Sequence, residues 1–127
     1  MKTLTTLIGA AVIAVAPAFA EEGHHDAKED AKVGTVTGEV IDMACYLDHK
    51  ASGAKHADCA KDCIEKGLPV GLKGNDGKTY LVIGDHKPLN QQLAPLAAKT
   101  ITVRGKIVSH DGFNMIENAE IVTKESK

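Results

Sequence analysis

The chain has 127 residues, 17 of them acidic and 15 basic, and a formal charge of −2 with histidines neutral. It has two tyrosines, two phenylalanines and no tryptophan, so platforms for base stacking are scarce. With no basic surplus either, the composition speaks against nucleic acid as a partner.

The first residues have the three parts of a secretory signal. Lys2 supplies the positive start. Leu4 to Ala16 is an apolar run too short to span a bilayer, and Ala18, Phe19 and Ala20 form a small-x-small cleavage pattern. Cleavage after Ala20 is expected, with export to a periplasm or out of the cell. No cysteine follows the cut, so no lipid anchor is expected. No later apolar run is long enough for a membrane helix, so no membrane association is expected after cleavage. Removing 20 of the 127 residues leaves 107, a length suited to one small domain.

Residues 21–32, EEGHHDAKEDAK, contain no apolar side chain larger than alanine and read as a flexible acidic and histidine-bearing tether. His24 and His25 are most simply exposed polar residues on it. Val33 to Ile41 is rich in β-branched residues and reads as a strand, bent or bulged at Gly38. A Cys- and His-bearing helical insertion follows over 45–67. Val70 to Ile83 reads as a hairpin turning at Asn75, Asp76 and Gly77. Pro88 to Lys99 is a short helical connector with Leu89, Leu93 and Leu96 on one face, interrupted by Pro95. Thr100 to Ser109 and Phe113 to Val122 form a second hairpin around His110, Asp111 and Gly112. In its first strand Ile101, Val103 and Ile107 alternate, with Gly105 on their face. The fold expected is a single domain over 33–123 with a tail at 124–127. It is mainly β with one or two short helices, a small, partly open OB-like barrel, or alternatively an α+β two-layer sheet.

All three cysteines fall within CYLDHKASGAKHADCAKDC, together with His49 and His56. Lys55 to Lys66 reads as a helix, with Gly67 suited to the left-handed position after its end and Leu68 to the apolar contact beyond. At about 100° per residue, His56, Cys59 and Cys63 fall in a sector of roughly 60°. Ala57, Ala60 and Ile64 form the adjoining apolar stripe, and Cys45, just after the first strand, can meet the sulfurs from the other side. Cys45, Cys59, Cys63 and His56, with His49 as a substitute, make a donor set for zinc or copper(I). The spacing C-x10-H-x2-C-x3-C is not a common zinc-finger spacing.

Two other chemistries compete with that one. Export favours disulfides, and a Cys45–Cys59 or Cys45–Cys63 bridge would stabilise a small domain by roughly 3 kcal/mol. An odd cysteine would remain. A thiol redox role has less support, since there is no C-x-x-C and no alternation of strands and helices of the thioredoxin kind. C-x-x-C-H, which covalent haem requires, is also absent. Met43 and Met115 are possible thioether ligands for copper(I) but are better explained as packing. GNDGK lacks phosphate-loop spacing.

The segment GEVIDMACYL…HADCAKDCIEKGLPVGL resembles one found in small exported bacterial proteins of unassigned function. The shared pattern is D-x-x-C, H-x-x-C-A-x-x-C and G-x-P, here Asp42, Cys45, His56, Cys59, Ala60, Cys63, Gly67 and Pro69. TITVRGKIVSHDGFNMIENAEIV resembles the closing hairpin of periplasmic OB-like domains. These resemblances imply that the segment acts as one unit on an OB-like domain; they imply no substrate or reaction. The function expected is soft-metal binding or sequestration rather than catalysis, with the metal ion and another periplasmic protein as partners. The alternatives are a disulfide-stapled interaction or ligand-binding module without metal, and a thiol redox protein.

Overall fold

The computed structural model describes residues 32–123. The expected signal peptide, the tether as far as residue 31 and the tail lie outside the described residues. The five strands are β1 (Lys32–Asp42), β2 (Val70–Gly74), β3 (Thr79–Val82), β4 (Thr100–His110) and β5 (Phe113–Thr123). Three α-helices, α1 (Met43–His49), α2 (Ala57–Glu65) and α3 (Asn90–Leu93), and two 3-10 turns at Ala54–His56 and Ala94–Leu96 complete the order.

The strands close a barrel in the order β1-β2-β3-β5-β4. All neighbours are antiparallel except β3 and β5, which run parallel through Leu81↔Met115 and Val82↔Ile116. This is a small OB-like barrel, as the sequence implied, but fully closed, because that short parallel contact joins the two hairpins. β1 makes closure possible by serving two partners. Its first part pairs with β4 and its last residues with β2, and the two registers overlap at Gly38 and Glu39. At Gly38 a Cβ would stand 2.4 Å from the Lys73 carbonyl oxygen, so the crossing requires glycine. Of the bend or bulge expected at Gly38, the bulge is not there, since both registers run through Gly38 without a shift. The register shifts instead between β4 and β5, beside Thr102/Val103 and Arg104/Lys106.

Alternation along the strands sends Val36, Val40, Leu72, Val82, Ile101, Val103 and Ile116 into the barrel. Leu89 and Leu93 close one end, so the connector's leucine face is buried as its spacing indicated. The hairpin turns follow their turn residues: Gly77 (φ +81), Asp111 (φ 47) and Gly112 (φ 83) take left-handed backbone. Everything between β1 and β2, Met43 to Pro69, lies outside the barrel wall as one helical insertion.

Candidate metal centre

α1 was not expected. Its origin is Asp42, the last residue of β1, which is 2 % exposed. The Asp42 carboxylate accepts hydrogen bonds from the Ala44 and Cys45 N–H groups at 3.2 and 3.0 Å. It thereby caps a helix whose first turn presents Cys45. Asp followed by a short apolar run was the sequence signal for this cap. With only seven residues, α1 lacks the repeat that periodicity detects. Lys50 (φ 60) ends it in left-handed backbone, and its N–H donates to the Tyr46 carbonyl oxygen at 2.8 Å.

α2 matches the expected helix less its first two residues and its last, Lys66, which caps it. Lys55 and His56 belong instead to a 3-10 turn that starts beyond Gly53 (φ +79), and His56 has non-helical backbone (φ −108, ψ 4). The end of α2 is as its sequence indicated. Gly67 (φ +95) follows the helix; its N–H donates to the Ile64 carbonyl oxygen at 3.0 Å, and the Leu68 N–H donates to that of Cys63 at 3.1 Å. Ile64 is fully buried in the barrel core and Ala60 packs partly against it. The Asn90 side-chain amide donates to the Ile64 and Leu68 carbonyl oxygens at 2.8 and 2.7 Å. These contacts fix the rotation of α2 about its axis and so the direction of its cysteines.

The outcome is that the sulfurs of Cys45, Cys59 and Cys63 all lie within 4.8 Å of one another. Cys45 and Cys63 are half-buried, Cys59 is exposed, and all three are free thiols. An ion bonded to sulfur at about 2.3 Å holds tetrahedral sulfurs about 3.8 Å apart, so a contraction of about 1 Å at most would close the three around it. These three cysteines are close enough to hold a metal ion.

The local electrostatics keep Cys45 and Cys63 protonated in the metal-free protein. The Cys45 thiol donates to the Asp42 carboxylate. That hydrogen bond, with burial and the negative charge beside it, pushes its pKa up to about 12. Burial raises the Cys63 thiol as well, against the interaction with the Cys45 sulfur, which lowers it. Neither is a thiolate at neutral pH, and both are therefore weak nucleophiles. A cation between the sulfurs would supply the positive charge that is missing here.

His56 and His49, the expected fourth ligand and its substitute, stand outside the group of mutually close sulfurs. Their rings lie beside each other instead, centroids 6.2 Å apart and tilted by 59°. Met43 and Met115 both line an apolar groove of about 700 Å³ between α1 and the β4–β5 turn, together with Leu47, Leu81, Val108 and Phe113. Leu47 and Phe113 are 71 % and 80 % exposed on it. That groove was not foreseen, since its residues come from four separate segments.

Fold and site together define a class: a small closed OB-like barrel with a tricysteine centre on the insertion between its first two strands. In comparisons with known proteins, the chain matches no family model, no curated protein and no solved structure.

Proposed function

We propose that this protein is an exported soft-metal binding protein that sequesters or hands on zinc or copper(I) and performs no catalysis. The observation that carries this reading is the convergence of Cys45, from one helix, with Cys59 and Cys63, from another, on one point. Thiolates are the preferred donors for both ions. His56, three residues before Cys59, completes the set as fourth ligand for zinc after a swing of its ring; copper(I) is satisfied by the sulfurs. Export follows from the signal at residues 1–20, and a periplasmic metal donor or acceptor is the corresponding protein partner.

The test is a competition titration of the reduced protein with zinc and with copper(I), against a chromophoric chelator. One ion per chain is expected for the native protein, with binding lost in Cys59→Ser. Because Cys59 is exposed, that variant should keep its fold. Unchanged affinity in Cys59→Ser would remove the tricysteine assignment.

A second reading is a disulfide-stapled ligand-binding module without metal, favoured by the apolar groove beside α1. A thiol count on unfolded, metal-stripped protein separates the two. Three thiols support the metal site, and one supports the staple.

A further inference from the structure

We infer that His49 and His56 form a second donor site, a capture station that takes a borderline divalent cation from solvent and passes it inward to the three cysteines. The inference rests on the metal-binding reading of the sulfurs and adds the route by which the ion reaches them.

The geometry is a short ladder. His49 lies four residues after Cys45 on α1, and His56 lies three residues before Cys59, in the turn that leads into α2. Residues three or four apart share a face of a helix. His49 thus stands about one turn from Cys45 along α1, and His56, whose non-helical backbone does not tie it to the face of Cys59, is placed by its ring beside that of His49. Their centroids are 6.2 Å apart. Two rings bonded to one ion at about 2.0–2.1 Å have centroids about 5 Å apart at a tetrahedral angle and about 6.4 Å apart when opposed. The observed separation falls within that range. A tetrahedral ion would draw the two rings together by about 1 Å.

Orientation supports the same role. The His49 Nδ1 lies 3.1 Å from the Asp48 carboxylate. A carboxylate only accepts, so Nδ1 is the donor in this contact, and in the neutral ring of that tautomer Nε2 would be the ligand nitrogen. This is the way a neighbouring carboxylate commonly sets a metal-binding histidine. Asp48 and His49 are both exposed, which gives the ion direct access from water. Imidazole suits zinc and other borderline divalent ions, whereas three thiolates suit softer binding. The ladder therefore runs from a weaker, open site to a stronger, half-buried one.

Transfer is ligand exchange without electron movement. Metal–nitrogen bonds break as metal–sulfur bonds form, and each thiol that becomes a ligand releases its proton to water. His56 has non-helical backbone at the head of α2, so its ring can follow the ion inward while His49 lets go.

Cobalt(II) is a suitable probe, because cobalt–thiolate bonds give a near-ultraviolet charge-transfer band. Stopped-flow mixing of limiting cobalt(II) with reduced full-length mature protein would follow loading directly. His49→Gln, at an exposed position, should slow loading several-fold while leaving the final band intensity and equilibrium affinity as in the native chain. Unchanged loading in His49→Gln would overturn the capture station. So would a weaker final band, which would make His49 a ligand of the sulfur site itself. Absence of the band in the native protein would reject the tricysteine site. The histidine pair is then tested separately with zinc by the ring NMR signals of a Cys45→Ser/Cys59→Ser/Cys63→Ser variant. Zinc-dependent shifts of both His49 and His56 support the pair, and a lack of shifts overturns it.

Discussion

In the barrel, Val40, Leu72, Val82, Val103 and Ile116 are each at most 1 % exposed, and they come from all five strands. In the insertion, from Met43 to Gly67, only Ala51 and Ile64 are buried, yet this segment carries every cysteine and both histidines of the candidate site. The two regions share one chain but rest on different forces. Apolar burial fills the barrel and stabilises it independently of any ion. The insertion is attached by one side chain buried in the barrel core, Ile64, and by polar ends: the Asp42 cap, the Met43 N–H donating to the Pro69 carbonyl oxygen at 2.9 Å, the Gly53 N–H donating to Glu39, and the Asn90 amide. Sulfur ligation would add a further cross-link between α1 and α2. Such a division lets the site open and close on an ion while the scaffold stays folded.

Core truncation separates the regions most strongly. Ile116→Ala and Ile64→Ala should each lower stability by about 2–5 kcal/mol in urea unfolding, because both side chains are fully buried. Only Ile64→Ala should also weaken metal affinity, since Ile64 sits one residue after Cys63 and sets the rotation of α2. Equal losses of affinity in the two variants would mean that barrel and site are not separable.

Acid acts on the site before it acts on the barrel. Cys45 and Cys63 have raised pKa values, so an incoming ion must displace both protons. Affinity measured by competition between pH 6 and 8 should therefore rise at least about a hundredfold per pH unit from these two thiols, and more steeply for each further ligand proton displaced. A flat profile would show that these two thiols are not displaced. In the metal-free protein the sign is opposite. The raised Cys45 pKa contributes stability that is full below the ordinary thiol value of 9.0 and is lost as pH climbs towards about 12.

Removing the tie between α2 and the barrel should have a smaller effect. Asn90→Ala deletes two hydrogen bonds to the end of α2, at a cost of about 1–3 kcal/mol. Hydrogen exchange should then quicken across residues 57–65 before it quickens in β1 or β4; uniform change along the chain would contradict the division. Smallest is the β2–β3 turn, where the Tyr80 hydroxyl donates to the Asp76 carboxylate. Burial, then that hydrogen bond, raises the phenol to about 12, so its contribution is full below pH 10 and lost between 10 and 12. Tyr80→Phe should cost about 0.5–1.5 kcal/mol at neutral pH in urea unfolding and leave metal affinity unchanged.

Much of the barrel was legible in the sequence because its signals are local. β-branched alternation marks β1 and β4, and Asp-Gly pairs mark the turns at Gly77 and Gly112. Closure was not legible, since it depends on a parallel contact between Leu81–Val82 and Met115–Ile116, more than thirty residues apart. In the site, the one-sided placement of Cys59 and Cys63 could be read from helical periodicity, and Gly67 fixed the helix end. The position of His56 could not. The helical sector that grouped it with Cys59 assumed an α-helix from Lys55, whereas a 3-10 turn has three residues per turn and aims its side chains differently. α1 was missed because seven residues are too few to show a helical repeat, and Asp42, just after the strand read over Val33 to Ile41, was not recognised as the cap that starts it.

The central claim is that one soft metal ion joins the three cysteines. Native intact mass of protein isolated without added metal or reductant tests it directly. A single species heavier by one zinc or one copper, with three free thiols counted after the ion is stripped, is the expected result. A metal-free species about two daltons lighter than the fully reduced chain would contradict the claim, because a disulfide would then occupy the place assigned to the ion.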